Sequence, residues 1–297
     1  MAEPTLKQLR YFDAIARLGH FGRAAEVCAI SQPAISVQIK ELERTLGASL
    51  FERGARQIRL TRAGEDLLHR ARHILDSVDE LSDVARASTG QALTRLRLGI
   101  IPTIAPYLLP SCIAALNAQS PGLDLHVRET LTPKLLGELA EGKIDAAILA
   151  LPISEPSLVE TPLFDEDFVL VRPASAAGQP VPDGDALKKM RLLLLEEGHC
   201  FRDQALAFCN AKTALARDGL DGSSLTTLVQ MVGAGIGVTL IPEMAIPVET
   251  PAAEVCIARF PAPSPSRRIG MVWRKSNPLD GQLSEVAQTI KRAAQHA

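Results

Sequence analysis

The chain has 297 residues, 46% of them apolar and 22% charged, with 20 Gly and 20 Pro. That length suits two or three domains, and the composition excludes a disordered chain, a coiled-coil rod and a collagen-like or low-complexity repeat. A formal net charge of −2 excludes bulk polyelectrolyte behaviour, and five cysteines, an odd number, are too few for a disulfide scaffold and suit a reducing compartment.

The opening MAEPTLKQLR has no apolar core after its charges, so no secretory signal is expected. The longest uncharged stretch, 222–242, contains Ser223, Ser224, Thr226, Thr227 and Gln230 and ends on Pro242. It reads as buried core rather than a membrane span. A cytoplasmic protein is expected, with no membrane partner.

Residues 1–62 carry ten Lys/Arg against six Asp/Glu, a balance of +4, which leaves −6 on the remainder. A basic head on an acidic body suggests an anionic partner, with nucleic acid among the candidates. Leu6, Leu9, Phe12 and Ile15 recur at helical spacing, and Arg23 to Cys28 forms a second short helix. Ser31-Gln32-Pro33 opens a third, a capping Ser with Pro in the first turn, whose apolar stripe is Ile35, Ile39 and Leu42. Two short helices joined by a tight turn read as helix-turn-helix. Ser31, Gln32, Pro33, Ser36, Gln38 and Lys40 are the candidate DNA contacts on the third helix. Phe51 to Arg53 and Ile58 to Leu60 flank Gly54-Ala55-Arg56 as a hairpin wing, which would place Arg53, Arg56 and Arg59 near phosphates. Thr61 is expected to cap a long helix from about Arg62 to Ala87. Its apolar positions Leu67, Ala71, Ile74, Val78, Leu81 and Ala85 average the 3.5-residue period of a self-associating seam. Ser88 to Gln91 reads as a hinge.

From Leu93 onward strand and helix alternate. Strands are expected at Arg95–Ile101, Leu123–Glu129, Ile144–Leu151, Leu163–Val171, Leu192–Leu195 and Gly237–Ile241. Helices are expected at Pro106–Gln119, Pro133–Glu141, Leu225–Ala234 and Leu279–Ala294. The pattern predicts a doubly wound α/β effector part, with ligands at the carboxyl ends of the strands. The domain plan is 1–61, a DNA-binding head; 62–90, a linker helix and hinge; and 91–297, an effector domain. Its first lobe spans about 91–162 plus 268–297, and its second about 163–267. Gly233-Ala234-Gly235-Ile236-Gly237 ends a helix and enters a strand, the reverse of a dinucleotide loop. No His/Cys cluster has zinc spacing, so neither cofactor nor metal is expected.

The run Phe21-Gly22-Arg23-Ala24-Ala25, Ser31 to Ser36, Ile39 to Glu43 and Leu50 to Arg53 resembles the DNA-binding signature of LysR-type transcriptional regulators. The second half, through Gly198-His199-Cys200-Phe201-Arg202-Asp203-Gln204-Ala205 and Phe208-Cys209, resembles the peroxide-sensing members of that family. Ile101 to Pro110 and Gly142 to Leu151 support the same likeness. The resemblance implies a winged helix-turn-helix, a long linker helix and two effector lobes of periplasmic-binding-protein type. It implies a regulator rather than an enzyme, with Cys200 reacting with hydrogen peroxide and Cys209 resolving it into a disulfide. It assigns Thr103, Thr132, His199, Arg202 and Asp203 to the peroxide pocket. The implied partners are double-stranded promoter half-sites, further copies of the chain as dimer or tetramer, RNA polymerase, and glutaredoxin or thioredoxin.

The residues argue part of this chemistry on their own. Cys200 and Cys209 lie nine positions apart. On one continuous helix their Cα atoms would be roughly 13–14 Å apart, against the roughly 4.4–6.8 Å of a disulfide, so a bond between them requires remodelling. Spacing alone leaves two unrelated buried thiols as the commoner outcome. Thr103, Thr132 and Cys200 each follow a strand, which brings two hydroxyls and a thiol to crevice-facing edges. His199 and Arg202 would supply donors and positive charge that favour the thiolate. Each threonine, taken alone, is more often a helix cap than a catalytic donor. Cys28, Cys112 and Cys256 read as packing residues. A LysR-type regulator of a small metabolite held between the lobes, with incidental cysteines, and a thiol enzyme with an accessory head are the competing readings.

Overall fold

The structure is a computed structural model that describes residues 3–52, 58–88, 93–188, 190–209 and 221–295, with the backbone alone for 76, 79, 80, 82–88 and 221. The chain forms two compact units, Met1–Thr89 and Gly90–Ala297.

In the first unit α1 (Leu6–Leu18) opens with a reciprocal capping box, in which Gln8 N–H donates to the Thr5 hydroxyl and Thr5 N–H to Gln8 Oε1. The His20 ring caps α2 (Phe21–Val27) by accepting from the N–H groups of Gly22 and Arg23. Ser31 caps α3 (Gln32–Leu46), with Pro33 in its first turn, and Gly47 closes it in the left-handed region at φ 67°. Ile35, Ile39 and Leu42 of α3 pack with Phe12, Ile15 and Leu50, and Phe12 and Phe21 meet the Phe51 ring edge-on. An antiparallel bridge between Phe51 and Leu60 closes the base of the wing. The wing tip, with Arg53 and Arg56, lies outside the described residues.

Thr61 Oγ1 accepts from Gly64 N–H at 2.9 Å and starts α4 (Arg62–Ser88) as expected. A Cβ on Gly64 would stand 2.2 Å from the Leu50 carbonyl, so only glycine lets α4 leave the head this closely. The helix is not a uniform seam. Leu68 and Ala71 are buried in the head's own core, with Leu67 packed beside them, and Arg72 pairs with Asp13 at 2.6 Å. Ile74 and Leu81 are the expected seam positions that stay exposed. The first turns therefore dock on their own unit, and the side chain of Ala85 is outside the described residues.

In the second unit β1 (Arg95–Ile100), α5 (Ala105–Gln119), β2 (Asp124–Glu129), α6 (Thr132–Ala140) and β3 (Ala146–Leu151) give the expected parallel βαβαβ, in the order β2-β1-β3. The sequence reading of β4 was too short, because the strand runs Leu158–Pro173. Its first part pairs antiparallel with β9 (Ser266–Arg274) and its end with β7 (Val238–Pro242) and β8 (Val255–Arg259). β5 (Leu192–Leu195) lies parallel to β7 and to the two-residue β6 (Asp221–Gly222). The order is β2-β1-β3-β9-β4-β7-β5-β6, so the sheet is mixed rather than wholly parallel. β8, apolar from Val255 to Ala258, and β9, which opens on Ser266-Arg267-Arg268 before the apolar run from Ile269 to Trp273, are strands that the sequence analysis passed over. The long strands β4 and β9 are what join the two lobes. α7 (Gly184–Leu187), α8 (Cys200–Phe208), α9 (Leu225–Gly233) and α10 (Ile246–Glu249) complete the second lobe, and α11 (Asp280–Ala294) returns to pack on α5. Among the described residues no helix is long and apolar enough to cross a membrane, and no cluster of His, Cys, Asp or Glu is placed to hold a metal ion.

Candidate functional site

Three chain turns deliver the expected side chains. β1 ends at Ile100 and leads to Thr103, β2 ends at Glu129 and leads to Thr132, and β5 ends at Leu195 and leads to Cys200, the first residue of α8. Gly198, at φ 95°, makes the turn that sets Cys200 on the helix N-terminus. Neither threonine is a helix cap. Ile104 precedes α5 and Leu131 precedes α6, and neither start has a side-chain cap. Thr132 Oγ1 is buried and finds no fully formed hydrogen bond among the described residues. Thr103 is buried, and its Oγ1 accepts from Arg267 Nη1 at 2.8 Å.

Arg267 is the residue that the sequence analysis missed. It lies on β9 with a fully buried side chain. Its Nε donates to Glu166 Oε2 at 2.8 Å, Nη1 to the Thr103 hydroxyl and Nη2 to the Thr103 carbonyl at 2.9 Å. Its guanidinium carbon stands 5.3 Å from the centre of the Phe201 ring, one residue beyond Cys200. Because the Thr103 oxygen already accepts from Arg267, the hydroxyl proton is free to be donated onward. Two of the five guanidinium N–H groups also remain uncommitted among the described residues.

Opposing influences act on Cys200. Burial pushes its thiol up, while the Arg267 charge, the Thr132 hydroxyl and the Phe201 backbone N–H pull the other way, and Asp203 adds a small upward push. The net shift is upward, so the neighbourhood does not hold a resting thiolate. The cation acting on the thiol is Arg267, and neither Arg202 nor His199 supplies the expected positive charge. Arg202 is buried, and its Nη1 donates to the Leu195 carbonyl at 2.6 Å, which ties α8 to the end of β5. Burial lowers the pKa of His199, which keeps the imidazole neutral, and its Nδ1 is buried without a partner among the described residues. Asp203 is exposed, and its charge acts on Cys200 against ionisation. The cation beside the thiol comes from 67 positions further along the chain. Gln204, one helical turn after Cys200, has a buried Oε1 without a partner among the described residues. The four-residue spacing was the available signal for it.

Cys209 caps the other end of α8 and is buried in the core of the second lobe with Leu187, Leu194 and Leu206. Burial pushes its thiol up, and Lys188 lowers it. Both thiols are free. A second tie between the lobes lies nearby, where Tyr107 of α5 donates to the buried Glu249 of α10 at 2.7 Å.

On the head, Gln32, Pro33 and Lys40 are exposed and Ser36 is half-buried. The Ser31 hydroxyl is engaged in capping Ala34, and Gln38 Oε1 accepts from Gln8 of α1 at 3.3 Å.

The profile of the LysR substrate binding domain matches residues 89–295, and that of the bacterial regulatory helix-turn-helix protein, lysR family, matches residues 6–65. A probable hydrogen peroxide-inducible genes activator of Streptomyces viridosporus is 42% identical over 295 residues, covering 98% of this chain and 95% of that protein. The DNA-binding transcriptional dual regulator OxyR of Escherichia coli (strain K12) is 39% identical over 289 residues, covering 96% and 94%. Among solved structures, a cysteine-to-serine mutant of Corynebacterium glutamicum OxyR in its H2O2-bound form matches with a TM-score of 0.70 at 39% identity, covering 99% of this chain and 94% of that one. The oxidized form of Corynebacterium glutamicum OxyR matches with a TM-score of 0.59 at 38% identity over the same shares.

Proposed function

The chain belongs to the LysR family of bacterial transcriptional regulators, and we propose that within it Cys200 is the peroxide-reacting thiol and Cys209 its resolving partner. It is a redox-sensing, DNA-binding regulator rather than an enzyme. The observation that carries the assignment is the cluster at the start of α8. There a half-buried thiol lies beside a buried guanidinium that also holds Thr103, and beside a threonine hydroxyl without a full hydrogen bond.

The chemistry follows from that cluster. Ionised Cys200 attacks one oxygen of hydrogen peroxide. An S–O bond forms, the O–O bond breaks, and the second oxygen leaves as hydroxide. Thr103 and Arg267 are placed to donate to that oxygen, with the Thr103 proton made available by the bond its oxygen accepts. The Arg267 charge is worth more in this dry site than it would be in water. Cys200 is then a sulfenic acid. Attack by the Cys209 thiolate on its sulfur forms the S–S bond and breaks the S–O bond, and the hydroxide that leaves takes the proton given up by the Cys209 thiol to become water.

The disulfide requires α8 to remodel. Both cysteines sit on one helix and its cap, roughly 13–14 Å apart by helical rise, twice the span that a disulfide bridges. Loss of α8 removes Phe201, Ala205 and Leu206 from the second lobe's core, so local chemistry becomes a change of state of the whole lobe. The head binds double-stranded half-sites through α3, with Gln32, Pro33, Ser36, Gln38 and Lys40 facing bases and Arg53 and Arg56 facing phosphates. The regulator works in the cytoplasm as a dimer or tetramer, acts on RNA polymerase, and is reset by glutaredoxin or thioredoxin. The test is a footprint of the full-length protein on sites selected from random duplex. One stoichiometric dose of peroxide should change the protected length, and a dithiol should restore it. A footprint that peroxide leaves unchanged would sink the reading.

A further inference from the structure

The reading face of α3 carries one residue that polar recognition does not explain. Its buried stripe is Ile35, Ile39 and Leu42. At about 100° per residue, Val37 lies about 200° round from Ile35, directly opposite the core. Its side chain is 61% exposed. It shares this outward line with the exposed Pro33, Lys40 and Arg44, while Gln32 and Ser36 stand to one side.

A single exposed valine is unremarkable on most surfaces. On this helix it occupies the point that would enter a groove furthest. A β-branched residue there also costs helix propensity relative to Lys, Gln or Ala, and gains nothing from packing within its own unit. The edges of base pairs in the major groove are polar with one exception, the C5-methyl group of thymine. The positive balance of the head and the adjacent Lys40 suit a duplex rather than an apolar protein partner, while Arg44 is paired with Glu41 of its own helix.

We propose that Val37 is a specificity-determining residue that packs its methyl groups on a thymine methyl in each half-site. The proposal rests on the DNA reading of α3. It implies that each operator half-site holds a thymine under the middle of α3. It also implies that 5-methylcytosine, which carries the same methyl, satisfies this one contact.

The experiment selects duplexes from a random library with the full-length protein. Each thymidine of the selected site is then replaced singly by deoxyuridine, which removes only the methyl group. For the unmodified protein, one replacement per half-site should weaken binding by about fourfold, the worth of one buried methyl. Val37→Ala should bind the thymine and uracil duplexes within about twofold of each other. Val37→Thr, which keeps one methyl, should retain a preference for thymine. An exposed position makes both variants foldable, and thermal melts check this. A selected site that binds equally well with uracil at every thymine position overturns the proposal while leaving the DNA reading intact. So does a Val37→Ala protein that keeps the full thymine preference. A library from which no sequence is enriched overturns both.

Discussion

The two ends of α8 hold the same functional group in opposite surroundings. At the N-terminal end Cys200 faces Arg267, the Thr132 hydroxyl and a helix-terminal N–H, all of which favour its ionised form against the cost of burial. At the C-terminal end Cys209 is 1% exposed among leucines, with Lys188 as the one charge that lowers its pKa. Both thiols are pushed up by burial. Among the described residues, only the Cys200 end has a buried hydroxyl and guanidinium, Thr103 and Arg267, beside it. On the proposed assignment, reactivity toward peroxide follows what stabilises the transition state rather than the ordinary acidity of the thiol.

The sharpest way to break this comparison is to remove each thiol in turn. Cys200→Ser should abolish the response to peroxide and leave Cys209 unlabelled at low peroxide. Cys209→Ser should let Cys200 reach a sulfenic acid that persists until it is trapped or over-oxidised, because nothing resolves it. A dimedone-type probe followed by peptide mass spectrometry reads both outcomes. Label that appears first on Cys209 would reverse the assignment.

The next largest effect belongs to the hydroxyls. Thr103→Val removes a donor and also the oxygen that accepts from Arg267. Oxidation of Cys200 should slow by roughly thirtyfold to a thousandfold, equivalent to about 2–4 kcal/mol, and Thr103→Ser should restore most of it. Thr132→Val should slow the reaction with little change in melting temperature, since its hydroxyl has no full hydrogen bond to lose. Stopped-flow oxidation run beside thermal melts separates these outcomes. A lower melting temperature with a normal rate would make either residue purely structural.

The opposite end of the helix can be disturbed alone. A Cβ at Gly184 would come within 2.6 Å of the Phe208 carbonyl, just before Cys209. Gly184→Ala should cost about 1–3 kcal/mol of stability through overpacking. It should leave the first oxidation step unchanged and speed closure of the disulfide, because the C-terminal end of α8 is held less firmly. Slower sulfenic acid formation in this variant would mean that the two ends are not independent.

The smallest effect is on the pH dependence of stability. The folded state holds the Cys200 and Cys209 protons more tightly than the unfolded chain does. Their contribution is therefore intact below the ordinary thiol range of about 8.5 and is lost as pH rises through the folded values. His199 runs the other way. Its lowered pKa contributes stability above the ordinary imidazole range of about 6.5, and this is lost as pH falls. Melting temperatures of the two Cys→Ser variants should decline less at alkaline pH than those of the unmodified protein.

The parts of this site legible in the sequence were those fixed by local rules. A strand followed by a turn and a helix start places Thr103, Thr132 and Cys200, and all three lie at such junctions. Ser31 before Gln32-Pro33 locates the start of α3 for the same reason. Arg267 was invisible, because its place beside Cys200 depends on β9 crossing antiparallel to β4, a pairing between residues about a hundred positions apart in the chain. The adjacency of Arg202 to Cys200 in the chain was a poor guide to adjacency in space. A helix turns successive residues by about 100°, which sends Arg202 toward the Leu195 carbonyl instead. The α4 seam was likewise legible as a period but not in its partner, since Ala71 is buried in the head's own core and Leu67 packs beside it.

One equivalent of peroxide, reacting at Cys200, should end in a bond between Cys200 and Cys209. Peptide mass spectrometry of the full-length protein, alkylated before and after one equivalent of hydrogen peroxide, tests it directly. A single new crosslinked peptide joining Cys200 to Cys209 should appear, with Cys28, Cys112 and Cys256 still alkylated. Unmodified Cys200 after the peroxide is consumed, or a crosslink from Cys200 to any other cysteine, would contradict the account.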